Sequence, residues 1–228
     1  MTRTTEKRLM DSIRPIRIAA LLSLALLAGC HHAAPRSSSQ ATRRTPDLSP
    51  APAPRSSGKV IFSEVGGATW YHSRTPNEMT AAHKTLPFNT QVRVTNLVTG
   101  QSATVRINDR GPFVRGRIID LSAAAAKATG VYRMGLAKVK LEVFAAPAAI
   151  ATGGRWAVQI GAFSDGSEAE SLRQRLVQEF PMANVVEYTS STGHWLRVRP
   201  PHDNKQQAME IADAVSPRQG DAYLVRLD

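Results

Sequence analysis

The sharpest constraint in this sequence is the strict alternation over Ala137–Val143. Ala137, Val139, Leu141 and Val143 are apolar, and Lys138, Lys140 and Glu142 are charged. Successive side chains of a strand point to opposite faces, so this segment reads as a strand with one buried side. The same period recurs at Val92 and Val94 against Arg93 and Thr95. It recurs again at Ala103, Val105 and Ile107 against Thr104 and Arg106, with Thr99-Gly100 as the turn between the two runs. Ser122 to Thr129 reads as a short helix, capped by Ser122 and ended by Gly130. Several short strands and one helix within residues 59–144 predict a small closed barrel. Glu142 and Glu64 read as solvated charges on its outside.

Residues 145–155 (AAPAAIATGGR) form a linker, and residues 156–228 follow a different rhythm. Trp156 to Ala162 reads as a strand. Ser167-Glu168-Ala169-Glu170 fits a capping box for a helix with Ala169, Leu172, Leu176 and Phe180 on one face. Val185 to Tyr188 and Trp195 to Arg199 predict a hairpin. A second helix begins at Asp203 and Gln206 with Ala208, Ile211, Ala212 and Val215 inward, and Tyr223 to Leu227 is the last strand. The order βαββαβ predicts a small α+β, ferredoxin- or RNP-like domain. Both helices cover one face of its four-stranded sheet and leave the other open.

The N-terminus reads as an address. Arg3, Lys7, Arg8, Arg14 and Arg17 precede the eleven-residue apolar run from Ile18 to Ala28, which ends at Gly29-Cys30. A membrane span needs roughly 20 apolar residues for a core of about 30 Å, so this run has secretory-signal rather than spanning length. Residues 1–29 thus read as a signal peptide, whether translation starts at Met1 or Met10. Leu27-Ala28-Gly29-Cys30 is similar to a bacterial lipobox, which makes Cys30 the expected site of lipidation and two or more acyl chains the expected anchor. By analogy with lipoprotein sorting in Gram-negative bacteria, His31 rather than Asp after it favours the outer membrane, facing the periplasm. Residues 30–58, rich in Ala, Pro, Ser and Arg, read as a disordered tether with a root-mean-square reach on the order of 30 Å. His31-His32 in such a tail reads as incidental rather than as a metal site.

The chain carries a formal charge of +11, but its location matters more than its size. Residues 1–58 hold nine Lys/Arg against three Asp/Glu, residues 59–144 twelve against five, and residues 156–228 seven against ten. A nucleic-acid binder spreads its basic residues over its whole contact surface, so nucleic acid is not an expected partner. The last domain shares its topology with RNA-binding sheets, but it lacks their aromatic signature and is acidic. With a single cysteine in the chain, no internal disulfide can form. Neither a cofactor nor a metal is expected.

Motifs carry the reading further. Thr80-Ala81-Ala82-His83, Arg106-Ile107-Asn108-Asp109-Arg110-Gly111-Pro112 and Arg117-Ile118-Ile119-Asp120-Leu121-Ser122 together resemble the rare lipoprotein A family, over nearly all of residues 66–144. That resemblance implies an all-β double-psi β-barrel. It also implies a lytic transglycosylase that cuts peptidoglycan between MurNAc and GlcNAc and leaves a 1,6-anhydro end. Trp156-Ala157-Val158-Gln159-Ile160-Gly161-Ala162-Phe163 resembles the SPOR domain, which implies binding to septal glycan strands stripped of stem peptides, with divisome proteins as partners.

Glycosidic cleavage needs a carboxylic acid for the leaving oxygen, and a lytic transglycosylase uses the substrate's own C6 hydroxyl as nucleophile, so one carboxyl can serve as acid and then base. Asp109 is the first candidate, as the motif acid of the resemblance; an Asx turn before Gly111-Pro112 is its local alternative. Arg110 and Arg106 would lower the pKa of a carboxyl beside them. Asp120 suits either catalysis or capping of the helix that follows. His83 suits either orientation of an acid or a satisfied core position. Glu78 sits in Thr75-Pro76-Asn77-Glu78-Met79, shorter than the family's loop and without its Gly and aromatic, so a non-catalytic glycan-binding lipoprotein is the alternative reading. Trp70 and Tyr71 suit either sugar stacking or core. On the sheet, Trp195, Arg197 and Arg199 fall on the face away from the helices if Leu196 and Val198 point toward them. Gln159 joins them as the fourth expected glycan contact.

Overall fold

The computed structural model describes residues 58–190, 192–219 and 221–228, with side chains 216–219 left aside. The signal segment, Cys30, His31, His32 and the tether up to residue 57 lie outside the described residues. Among the described residues no helix is long and apolar enough to cross a membrane.

Six strands close the first barrel: β1 (Phe62–Trp70), β2 (Thr80–His83), β3 (Gln91–Asn96), β4 (Ser102–Asp109), β5 (Arg117–Leu121) and β6 (Ala137–Val143). Their order around the barrel is β1-β5-β2-β4-β3-β6. The pairs β1–β5 and β2–β4 are parallel, and the other four are antiparallel. This is the double-psi β-barrel. The period-two residues point where the alternation requires: Val92, Val94, Val105, Ile107, Val139, Leu141 and Val143 are all fully buried. Each contributes on the order of 1.5–3 kcal/mol by leaving water. The helix α1 (Ala123–Ala128) closes one end, with Ser122 Oγ accepting from the Ala125 amide at 3.3 Å. A second short helix, α2 (Val131–Met134), begins after Gly130, which takes the left-handed conformation (φ +74°).

Two carboxylates depart from the expected exterior positions. Glu142 faces outward but is covered, because Arg93 lies directly across on β3 and donates to it at 2.8 Å while Lys140 pairs with it at 2.8 Å. Hydrogen bonds from Lys140 and Arg93 hold its pKa below the usual carboxylate range. Glu64 is half-buried because it accepts a hydrogen bond from His83 Nε2 at 3.1 Å.

The second region runs β7 (Trp156–Phe163), α3 (Gly166–Glu179), β8 (Asn184–Ser190), β9 (Gly193–Arg199), a 3-10 turn (Pro201–Asp203), α4 (Lys205–Gln219) and β10 (Ala222–Arg226). The antiparallel sheet has the order β10-β7-β9-β8. Val158, Ile160, Leu196 and Val198 pack against Ala169, Leu172 and Leu176 of α3 and Ala208, Ile211 and Val215 of α4. Two caps differ from expectation. Asp165, not Ser167, caps α3, because its carboxylate accepts from the Ser167 amide at 2.8 Å. Phe180 ends that helix as its C-cap and, partly buried, packs against the same core as Ala169, Leu172 and Leu176. At α4 the cap is Asn204, which accepts from the Gln207 amide at 3.1 Å. Asp203 stays in the 3-10 turn because Arg199 and Arg155 occupy its carboxylate.

Barrel and sheet belong to one compact unit. The amide of Arg226 donates to the main-chain oxygen of Lys84 at 3.0 Å, and the amide of Phe88 donates to that of Asp228 at 3.3 Å. The β10 edge of the sheet is therefore paired with the barrel segment between β2 and β3.

Candidate active site and outer sheet face

One residue of β2 organises the carboxyl groups. Ala82 stands opposite Asp120 in the antiparallel pairing with β5 and opposite Asp109 in the parallel pairing with β4. Two strand spacings thus separate the backbones of Asp109 and Asp120, about 9–10 Å. Both side chains are partly exposed.

Their partners differ. Asp109 accepts from the Tyr71 hydroxyl at 3.0 Å on one oxygen and from the Arg110 amide at 2.8 Å on the other. Burial, together with the neighbouring Asp109, pushes the Tyr71 pKa well up, so Tyr71 remains a donor at all physiological pH. Asp120 accepts a hydrogen bond from the Thr69 hydroxyl. Burial raises the Asp120 pKa above the usual carboxylate range, against the lowering effects of the Thr69 bond, Arg117 and Lys84. Lys84 itself donates to the main-chain oxygens of Pro112 and Arg117 at 3.2 and 2.7 Å.

His83 and Glu78 stand apart from this pair, and neither bonds to Asp109 or Asp120 among the described residues. His83 is 2% exposed. Its Nδ1 accepts from the Thr85 and Leu86 amides at 3.2 and 3.1 Å, which leaves Nε2 to donate to Glu64. Burial pushes its pKa down. It therefore holds the turn that carries Lys84. Glu78 is exposed and pairs with Arg106 at 3.1 Å. The two motif arginines are thus accounted for: Arg106 serves Glu78, and the Arg110 guanidinium donates to the main-chain oxygens of His83, Leu86 and Asp228 rather than to the Asp109 carboxylate.

Tyr71 and Thr69 were missed as carboxyl partners by sequence reasoning, although the period of two offered a signal. Ala68 and Trp70 pack toward the barrel core, so Thr69 and Tyr71 must face the other way. Trp70 stacks on Tyr132 with centroids 4.5 Å apart. Among the described residues no cluster of three or more candidate metal ligands occurs.

On the sheet, Leu196 and Val198 are fully buried toward the helices and Trp195, Arg197 and Arg199 take the opposite face. Gln159 lies directly across from Arg197 and accepts from it at 2.7 Å. Arg155, Arg197 and Arg199 line a cleft of about 300 Å³ with Val186, Tyr188 and Leu227. The face is not fully open, however: Gln159 is 2% and Trp195 6% exposed.

A double-psi barrel with paired carboxyls, joined to a sheet bearing arginines and aromatics, defines a two-module protein of the lytic transglycolase and SPOR type. Residues 64–141 match the family described as lytic transglycolase, and residues 152–226 match the SPOR domain. In both modules the chain is similar to the rare lipoprotein A (RlpA) family with a C-terminal SPOR domain. It is 39% identical over 150 residues to the endolytic peptidoglycan transglycosylase RlpA of Vibrio cholerae, covering 58% of this chain and 57% of that one. The protein of the same name from Pseudomonas aeruginosa strain UCBPP-PA14 is 39% identical over 169 residues, covering 68% of this chain and 50% of the relative. A probable endolytic peptidoglycan transglycosylase RlpA of Synechocystis is 52% identical over 90 residues, 34% of this chain and 28% of its own. These alignments thus span little more than half the length of the relatives at most. Among solved structures, an expansin of Clavibacter michiganensis in complex with cellohexaose aligns over 59% of this chain and 78% of its own, at 15% identity and a TM-score of 0.30.

Proposed function

We propose that this chain is an endolytic peptidoglycan transglycosylase that cleaves MurNAc–GlcNAc bonds in glycan strands lacking stem peptides. The observation that carries the reading is the placement of Asp109 and Asp120 on either side of Ala82, with Tyr71 on one and Thr69 on the other. The names of the relatives in Vibrio and Pseudomonas support it.

In this reading Asp120, the carboxyl whose pKa burial raises, donates a proton to the glycosidic oxygen as the C1–O bond breaks. Asp109, oriented by Tyr71, takes the proton of the MurNAc C6 hydroxyl as its oxygen bonds to C1 and closes the 1,6-anhydro ring. Proton gain and loss balance, and no water is consumed. His83 acts as a positioning residue through the turn bearing Lys84. Glu78 contributes at the rim. Gln159, Trp195, Arg197 and Arg199 hold the strand on the sheet, where guanidinium groups match lactyl carboxylates and amide oxygens.

The same reading makes Cys30 the lipidated residue of an envelope protein that faces the periplasm from the outer membrane. It acts at the division septum in wall remodelling and daughter-cell separation, beside divisome proteins. Glu78, bound to Arg106 and apart from the carboxyl pair, favours a second reading, a glycan-binding lipoprotein without turnover.

Incubation of the protein with denuded sacculi, followed by mass spectrometry of soluble products, separates the two. The enzyme releases anhydro-MurNAc-ended fragments. Binding to sacculi without any soluble product under any condition establishes the second reading.

A further inference from the structure

The helices cover one side of the sheet, so its other side should meet solvent. Directly opposed residues of neighbouring strands share a face. Tyr223, Gln159, Arg197 and Val186 therefore form one row across that side, with Gly161, Trp195 and Tyr188 in the next. Ala157 and Val225, paired on the same side, are fully buried, as Gln159 and Trp195 nearly are. The cover comes from the barrel. In the segment between β4 and β5, the Phe113 ring lies 5.4 Å from Trp195 and 5.8 Å from Tyr223. Lys84 places its ammonium 5.9 Å from the Tyr223 ring, and Arg115 pairs with Asp221 at 2.5 Å.

We propose that the Phe113 segment is a resident occupant of the sugar-binding face, so that a glycan strand and the barrel compete for Trp195 and Tyr223. This inference rests on the reading of the sheet as a glycan binder and adds what regulates it. Three features carry it. Flat aromatic rings are what a sugar face packs on, and here a phenyl ring of the chain itself occupies them.

Second, the contact is imperfectly satisfied. Among the described residues, Nε of Arg110 and Nε of Arg197 are buried without a hydrogen-bond partner. The positive charges of Arg226 and Arg197 also bear on Arg110, which burial already disfavours. The Arg115–Asp221 pair is exposed on the Arg115 side (84%) and adds little. A strand that brings lactyl carboxylates and amide oxygens offers these guanidinium groups the acceptors that the barrel does not.

Third, part of the face is already accessible. The cleft of about 300 Å³ bounded by Arg155, Tyr188, Arg197 and Arg199 gives a strand its first hold before Phe113 is displaced. Displacement reaches the carboxyl pair. It removes the Asp228 oxygen from Arg110, the neighbour of Asp109, and the Arg226 amide from Lys84, the cation near Asp120.

The test measures binding of soluble, stem-peptide-free glycan strands to the full chain and follows amide hydrogen exchange at residues 113–116. Phe113→Ala is expected to tighten binding about five- to twenty-fold. Arg115→Glu, an exposed change that leaves the core untouched, is expected to tighten it about two- to threefold, and guards against a misfolded Phe113 variant. Bound strands speed exchange at 113–116 in the wild type. Competition is overturned if both variants bind no tighter than wild type, or if exchange at 113–116 slows on binding, because the strand then lies across both surfaces together. A wild-type chain and variants that all fail to bind the strands overturn the glycan reading of the sheet itself, and the competition with it.

Discussion

The reactive end of the barrel and the outer face of the sheet handle charge in opposite ways. In the barrel the central groups are carboxyls held against neutral hydroxyl donors, Tyr71 on Asp109 and Thr69 on Asp120, with Lys84 and Arg117 at one remove. On the sheet the central groups are guanidiniums. Asp203 neutralises Arg155 and Arg199, whereas the Arg197 partners among the described residues are the neutral Gln159 and Tyr188. A carboxyl that must give up a proton gains from burial, which moves its pKa toward the working pH even against hydroxyl donors that lower it. A group that must hold an anion gains from a permanent charge left under-neutralised. Under the proposed function the two modules divide chemistry from binding, and that division can be broken residue by residue.

The largest effect is expected at Asp109. Asp109→Asn removes the base, and turnover of denuded glycan should fall by about 10² to 10⁴, with sacculus binding unchanged. Equal loss of binding and turnover would instead make Asp109 a contact. Asp120→Asn should lower turnover by about 10² while leaving the urea midpoint at pH 7 level or higher. The sign follows from burial: a carboxyl whose folded pKa is raised costs stability as pH rises above its unfolded value, and the amide removes that cost. A lower midpoint would mark Asp120 as structural. On the sheet, Arg197→Ala should weaken strand binding about tenfold and leave the rate at saturating glycan intact. A changed saturated rate would mean that the modules share one chemistry.

Smaller effects probe the supports. His83 has a depressed pKa in the fold, so below its ordinary value near 6.5 the unfolded chain takes a proton that the folded chain refuses. Stability should therefore fall as pH drops through about 6.5, at up to about 1.4 kcal/mol per pH unit, and His83→Gln should flatten that slope in urea unfolding at pH 7 and 5.5. Glu64, with a lowered pKa, adds its own loss only under more acidic conditions. The smallest effect is expected at Glu78. Its pairing with Arg106 at the exposed rim predicts that Glu78→Gln changes turnover less than about twofold.

Much of this architecture was legible in the residues. Alternation at Val92–Val94, Ala103–Ile107 and Ala137–Val143 marked three barrel strands, because one face of each had to be apolar. The Leu196 and Val198 pair likewise marked which way Trp195, Arg197 and Arg199 turn. Contacts between distant segments were less visible. Glu64 and Glu142 looked solvated because nothing local names His83 or Arg93 as partners 19 and 49 residues away. The cap of α3 moved to Asp165 because Ser167 and Asp165 both fit the local pattern and geometry chose between them. Hidden most fully was the cover over Trp195, since Phe113 lies 82 positions earlier in the chain and no periodicity links the two.

Digestion of denuded glycan in water enriched in ¹⁸O tests the central claim most directly, because the nucleophile leaves its mark on the product. Attack by the sugar's own C6 hydroxyl predicts 1,6-anhydro ends that carry no heavy oxygen and vanish in Asp109→Asn. Reducing MurNAc ends that carry ¹⁸O would mean that water is the nucleophile and would contradict the mechanism.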